Sequence, residues 1–335
     1  MAVANSYSNP AAAGGNREDL RDVLTILEPE ETPVTSLIPK IDKPGATYVE
    51  WLADTIRKPR KTGTVEGGTT ITRDNKAAER KRFGNYIHLY TNGYGVTDVQ
   101  AKVDVAAIGE AGEFDYAKAM AVREAKRDME AILCSDQEMQ QGSGSNEWRT
   151  RGLFKWIQST AQTVNPVPTK YLTPAGNIIT GLTAANLQEA QVVDVLKSLF
   201  QVFGVKKTYI MPASAGVVAA FDGFTRTQPS ATAQRYVVSD AAEKRAINME
   251  VKTFNCSFGM LNIVPNLFLR VDANGDPDDN AALILVRELL GLGVLENLHA
   301  VDDTNNNPGG PQGYLKAMFA LMHKNPRGSG KFQGT

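Results

Sequence analysis

Cysteine and histidine are nearly missing from this 335-residue chain: it has two of the first, Cys134 and Cys256, and three of the second, His88, His299 and His323. Two distant cysteines make no disulfide framework and read as buried free thiols. The histidines form neither HExxH nor HxH, so no zinc site is expected. An excess of one charge is missing too, with 36 Lys and Arg against 37 Asp and Glu. A dedicated nucleic-acid binder carries a basic surplus, because phosphate contacts supply most of its affinity. A disordered chain carries more net charge and fewer apolar residues than the 42% here. No run approaches the roughly 20 apolar residues of a membrane helix. The N-terminal MAVANSYSNPAAAGG lacks the basic-then-apolar order of a secretory signal.

Catalytic motifs are absent as well. Gly328-Ser329-Gly330-Lys331 lacks the upstream glycine of a phosphate-binding loop and reads as a flexible polar tail. There is no GxSxG nucleophile elbow. The acidic run from Asp272 to Asp279 offers oxygens at alternating positions. Yet Pro277 stands where a calcium loop needs glycine and Leu283 where it needs glutamate, so the run reads as an acidic surface turn. Asn255-Cys256-Ser257 matches a glycosylation acceptor without a signal to deliver it. No enzyme activity, cofactor or metal is expected.

What is present has a definite order. The first sixteen residues, rich in Ala, Gly, Asn and Ser, read as a tail. Leu20, Val23, Leu24 and Leu27 recur at helical spacing, and Pro29 and Pro33 end that segment. Val34, Leu37 and Ile38, between prolines, read as an arm lying on another surface. ATYVEWLADTI alternates as a strand does, and RFGNYIHLYTNGYGVTDVQAKV is again β-like. Residues 46–100 therefore predict a long hairpin with little to bury, which needs packing elsewhere because two strands alone are marginal. The longest helical pattern lies within 104–141, dependable from Glu113, with Phe114, Ala117, Ala121, Ala125, Met129, Ile132 and Leu133 on one side. RGLFKWI is an apolar cluster. Thr183 is a candidate helix cap, VKKTYIMPASA a strand, and Ala213 to Phe221 a helix. Residues 234–264 are mostly strands. ALILVRELLGLGVLENL suits strand or helix, and GYLKAMFALMH suits a strand. Helices and strands mix without a regular βαβ rhythm, so the class is α+β.

The charge balance conceals local asymmetry. Residues 57–82 hold nine Lys/Arg against three acids, and residues 270–303 hold eight acids against Arg270 and Arg287. These are either solvated loops or complementary surfaces of neighbouring copies, where electrostatics guides encounter and register. A basic loop on nucleic acid is a weaker reading, since only Phe83, Tyr86 and Tyr90 are near for stacking.

Several segments, in this order, resemble tailed-phage major capsid proteins of the Hong Kong-97-type fold, and among them the phage SU-ten-type family. They are Arg17-Glu18-Asp19-Leu20, Thr32-Pro33-Val34-Thr35-Ser36-Leu37-Ile38, Tyr48-Val49-Glu50-Trp51-Leu52-Ala53-Asp54, Met129-Glu130-Ala131-Ile132-Leu133, Arg151-Gly152-Leu153-Phe154-Lys155-Trp156-Ile157, and Phe258-Gly259 through Val264-Pro265-Asn266. After Arg287 the chain departs, with LGLGVLENLHAVDD in place of the family's charged Leu-Ala-rich stretch. The resemblance implies an N-terminal arm at 1–45, an extended loop (E-loop) at 46–100, a peripheral domain with a spine helix at 101–180 and 300–335, and an axial domain at 181–299. It implies hexamers and pentamers of the chain in an icosahedral virion shell around double-stranded DNA, assembled in the host cytoplasm. The DNA would be enclosed without sequence-specific binding and without a membrane. Portal and scaffolding proteins, and a cement protein, are the further partners implied. Candidate contacts between copies are Trp51, Arg57, Lys58, Arg60, Lys61, Arg80, Lys81, Arg82, Asp276, Asp278, Asp279, Asp302 and Asp303. Lys58, Lys61 and Lys76 lie in the loop, but no partner Asn or catalytic carboxylate is identified, so isopeptide crosslinking is not expected. The alternatives are an encapsulin-like cellular shell protein and a DNA-binding or enzymatic protein with a basic loop.

Overall fold

The computed structural model describes residues 31–57, 59–61, 63, 65–68, 79–103, 112–183, 186–224, 252–272, 274–303 and 309–334. The tail, the helical spacing at 20–27, Lys58, Lys76 and the strands expected within 234–251 lie outside these residues.

The chain opens with a one-turn helix α1 (Pro33–Leu37) and a short strand β1 (Lys40–Ile41). Strands β2 (Tyr48–Ala53), β3 (Lys81–Tyr86) and β4 (His88–Gly95) follow, then the long helix α2 (Gly112–Leu133) and the turn α3 (Leu153–Trp156). The second half alternates: β5 (Ile178–Leu182), α4 (Glu189–Phe203), β6 (Lys207–Ala213), α5 (Ala215–Phe224), β7 (Thr253–Asn255), β8 (Gly259–Pro265) and β9 (Ala282–Ile284). The chain then runs out and back in two long strands, β10 (Leu290–Asp303) and β11 (Gln312–His323), and returns in β12 (Gly330–Gly334).

These strands form two larger sheets and one hairpin. A four-stranded sheet runs β1-β10-β11-β4, with β1 parallel to β10 and the other pairs antiparallel. A six-stranded sheet runs β5-β12-β9-β6-β8-β7. The β2–β3 hairpin stands apart as a two-stranded sheet. Each larger sheet owns a core. In the first, α2 lays Ala121, Ala125 and Leu133 among Leu292, Leu315, Phe319 and Leu321, with Leu153, Phe154 and Trp156 of α3. In the second, Val192, Val195, Leu196 and Leu199 of α4 and Val217 and Phe221 of α5 pack on Tyr209, Met211, Leu261, Ile284 and Phe332.

Small residues appear where backbone must approach. Gly152 lies against the Ser135 carbonyl, where any Cβ would collide. The Phe154 N–H donates to that carbonyl at 3.2 Å, so the chain leaving α2 is clamped to the start of α3.

Several expectations are corrected. The hairpin region buries far more than its length suggested: Phe83, Asn85, Ile87, Tyr90 and Tyr94 are all buried. β4 is a full member of the four-stranded sheet, since its alternate residues face α2. The ambiguous run after 281 divides into β9, a 3-10 turn at Arg287–Leu289, and β10. β10 starts at Leu290, ahead of the boundary drawn at 300. β12 pairs in the six-stranded sheet rather than with residues 300–329. The GSGK segment is thus no tail: β12 is wedged between β5 and β9, and Lys331 and Phe332 are buried. Thr183 does not cap α4. Its N–H donates to the Asn186 side chain at 2.7 Å, and α4 begins at Glu189, where Gln191 accepts from the Gln188 N–H at 3.0 Å. Ala213 ends β6, and α5 starts two residues later. Cys134 is buried and Cys256 half-buried, and both are free thiols.

Two histidines are held neutral by this packing. Burial is the main cause in each case, lowering His88 to about 4 and His323 to about 3. The unfolded chain binds those protons near pH 6.5 and the fold only well below it. Stability is therefore full above 6.5 and is lost as pH falls toward 4, by about 1.4 kcal/mol per pH unit for each histidine. Urea midpoints measured from pH 7.5 to 4.5 are expected to fall, and to fall less steeply in a His88→Gln/His323→Gln variant. An equal slope in the two proteins refutes the assignment.

Candidate assembly interface

The arm is fixed to the body by one carboxylate. α1 has Pro33 at its first position, which has no N–H to satisfy. The next two N–H groups, of Val34 and Thr35, donate to the two oxygens of Glu130 at 2.7 Å each. The Thr35 hydroxyl donates to Glu130 Oε2, and the Asn266 side-chain amide donates to Oε1 at 2.8 Å. Glu130 is fully buried on α2. Four neutral donors take the place of water, which a buried carboxylate requires. Val34 and Ile38 are buried beneath this latch. The surface expected under the arm is thus, for residues 33–38, the chain's own α2.

The hairpin leaves the body through a polar gate. Asn85 is fully buried, and its amide donates to Thr150 Oγ1 at 2.8 Å and to the Leu321 carbonyl at 2.7 Å, while its oxygen accepts from the Arg151 N–H at 2.9 Å. Arg151 itself is buried, paired to Glu138 at 2.6 Å and set over the Trp156 ring. The Tyr171 hydroxyl lies between the two strands of the hairpin, 3.0 Å from the Ala53 carbonyl and 3.1 Å from that of Glu79. Gly84 admits the Tyr48 ring where a Cβ would clash.

Beyond this gate the hairpin carries apolar and basic residues into solvent. Leu52 is 63% and Ile56 96% exposed. Arg57, Arg60, Lys61, Arg80, Lys81 and Arg82 are exposed as well. Arg82 lies 3.4 Å from Glu50 and Arg80 3.8 Å from Asp54, both across the same hairpin. Exposed pairs of this kind contribute about 0–1 kcal/mol. Trp51 does not join this surface. Strand alternation turns Val49, Trp51 and Ala53 inward, and the Trp51 ring centre lies 5.5 Å from that of Trp156.

The acidic candidates divide. Asp278 is held by Arg270 at 2.8 Å. Asp302 takes Lys118 at 2.8 Å and the Tyr94 hydroxyl at 2.5 Å, which hold its carboxyl below the ordinary carboxylate range. Both fasten the chain to itself. Asp276, Asp279 and Asp303 are exposed. Sequence reading missed Glu130, Asn85 and Tyr171 as positioning residues. The one available signal was an acid, Glu130, between Met129 and the apolar pair Ile132 and Leu133. Among the described residues no cluster of His, Cys, Asp or Glu is disposed to hold a metal ion, and no helix is long and apolar enough to cross a membrane.

A spine helix on a long-stranded sheet, a second sheet with its own core, and an arm and hairpin laid against the first core define a viral shell protein of the Hong Kong-97 type. Solved capsids share the fold at low identity. The capsid of a native GTA particle matches at 12% identity and TM-score 0.58, covering 99% of this chain and 100% of that one. The capsid of cyanophage P-SCSP1u matches at 10% and 0.62, covering 97% and 94%. That of Gordonia phage Cozz matches at 11% and 0.60, covering 100% and 96%. No match is found among curated protein sequences. The chain belongs to the SU10 major capsid protein family, whose model matches residues 4–335. It is a major capsid protein, a subunit of a multi-copy phage shell, and the encapsulin-like, enzymatic and DNA-binding alternatives fall behind that reading.

Glu130→Ala would strand the Val34 N–H and the Asn266 amide in the interior, at a cost of about 1–3 kcal/mol for each group. Chemical denaturation is expected to show a loss of roughly that sum, with a smaller loss for Glu130→Gln, which keeps one acceptor oxygen. Equal stability of all three proteins rules out the latch. Tyr171→Phe removes one hydroxyl from the foot of the hairpin. Amide exchange across β2 and β3 is expected to quicken while α4 and α5 are unaffected. Unchanged exchange in β2 shows that the hydroxyl does not hold the hairpin.

Proposed function

We propose that the chain assembles into hexamers and pentamers of an icosahedral shell that encloses the double-stranded DNA of a tailed phage. The observation that carries this reading is the family match over nearly the whole chain, on a fold whose hairpin projects Leu52 and Ile56 into solvent. A two-stranded ribbon with exposed apolar side chains is marginal by itself and gains stability when a neighbour covers it. The arm through residue 45, the hairpin within 46–100, the spine helix with the four-stranded sheet, and the six-stranded sheet take the roles of N-arm, extended loop, peripheral domain and axial domain. β10 goes with the peripheral part and β12 with the axial part. The protein acts structurally rather than catalytically: many modest contacts, repeated in every copy, sum to a stable shell. Assembly takes place in the host cytoplasm, with a separate scaffolding protein, a portal and, where present, a cement protein as partners.

The near-zero net charge supports an inner surface that does not grip packaged DNA in a fixed register. Expression of the full chain, with and without a phage scaffolding protein, followed by electron microscopy, is expected to show closed shells of uniform diameter. A chain that stays monomeric at high concentration in both cases overturns the proposal.

A further inference from the structure

An open groove of about 580 Å³ lies at the foot of the hairpin, between residues 55–57 and the turns at 169–175 and 327. Its wall is both apolar and cationic. Ile56, the most exposed of the large apolar side chains described, lines it with Leu172 and Pro174. Lys170 and Arg327 supply charge: Lys170 pairs with Glu79 at 3.3 Å, and Arg327 donates to the Lys170 carbonyl at 3.5 Å. With Arg57 also in the wall, cations outnumber the single acid, Glu79. The groove therefore fits an occupant that combines a small apolar surface with carboxylates.

The same chain carries such a feature elsewhere. The Asp272 carboxylate accepts from the N–H groups of Asn274 at 2.8 Å and Asp276 at 2.9 Å, and the Asp272 N–H donates to the Asp276 carbonyl at 2.9 Å. Gly275, at φ +93°, lets the turn close. Arg270 consumes Asp278, leaving Asp276, Pro277 and Asp279 exposed on a pre-formed knob. A knob already held in shape loses little entropy on docking. It cannot fill the groove of its own chain. It is fastened beside the C-terminal end of α2, where Arg270 contacts Asp136 and the Cys134 carbonyl, and none of the described residues of 270–281 lines the groove.

We propose that the groove at the foot of the hairpin receives the Asp276–Asp279 knob of a second copy of this chain, with Pro277 against Ile56 and Leu172 and the carboxylates facing Lys170 and Arg327. This rests on the shell reading above and names one contact within it. It gives register between copies, because a groove with a fixed cation pair accepts the knob in one orientation.

Particles recovered from cells expressing the full chain test it by sedimentation and electron microscopy. Reversing the groove (Lys170→Glu/Arg327→Glu) or the knob (Asp276→Lys/Asp279→Lys) is expected to cut particle yield by about tenfold or more, and combining the four changes is expected to restore it. Wild-type yields from both reversals, or no recovery in the combination, overturn the proposal while leaving the shell reading intact. Absence of wild-type particles both with and without a phage scaffolding protein overturns both. Should a reversal prevent folding, an Ile56→Cys/Pro277→Cys variant keeps the question open to measurement. Mild oxidation of its particles is expected to give ladders of disulfide-linked copies, against a wild-type control that gives none. Its failure to give ladders overturns the contact.

Discussion

The structure turns on a buried carboxylate that, among the described residues, has no cation in contact. Glu130 takes donors from the arm, through Val34 and Thr35, and from the segment after β8, through Asn266. A charge removed from water costs several kcal/mol unless its oxygens are fully bonded. The three segments are therefore coupled: each is needed to make burial of the others tolerable. Pro33 sharpens the coupling by removing one donor, so that two oxygens serve two N–H groups without remainder. Residues 33–38 are thereby held on α2 in a single orientation.

The two cores are joined by a second buried ion of opposite sign. Lys331 on β12 donates to the Phe154 carbonyl of α3 at 2.9 Å, and burial lowers its amine to about 8. Nearby, Thr173 donates to the Pro326 carbonyl at 2.9 Å, and the Asn177 amide donates to the Ser329 carbonyl at 3.2 Å. The polar segment 324–331 is thus a seam whose hydrogen bonds are specific, while each core is apolar and tolerant of substitution. The seam keeps the two sheets in register.

Patterning made much of this legible. α2 appears where Ala121, Ala125 and Leu133 recur, β2 where Tyr48 to Ala53 alternate, and β11 where GYLKAMFALMH is mostly apolar. Signals failed where tertiary context overrides local pattern. Gly328 to Lys331 has a linker's composition, but β12 is short, and what makes it a strand is the pair of neighbours, β5 and β9, that meet only through it. Asn85 lies among aromatic and β-branched residues and gives no local hint that two segments more than 60 residues away, at 150–151 and 321, converge on it. The place of Trp51 in the alternation, in step with Val49 and Ala53, turns its ring toward Trp156.

Charge counting has the same limit. The eight acids of 270–303 face nine cations of 57–82 in the sequence, yet Asp278 and Asp302 are consumed by Arg270 and Lys118. What remains for a neighbour is smaller and more local. At physiological salt the screening length is about 8 Å, so opposite totals spread over a subunit exert little pull across a shell. Only charges brought within a few ångströms by shape can select a register. Complementarity between copies is then a property of particular turns and grooves, and a net charge near zero is compatible with strong local selection.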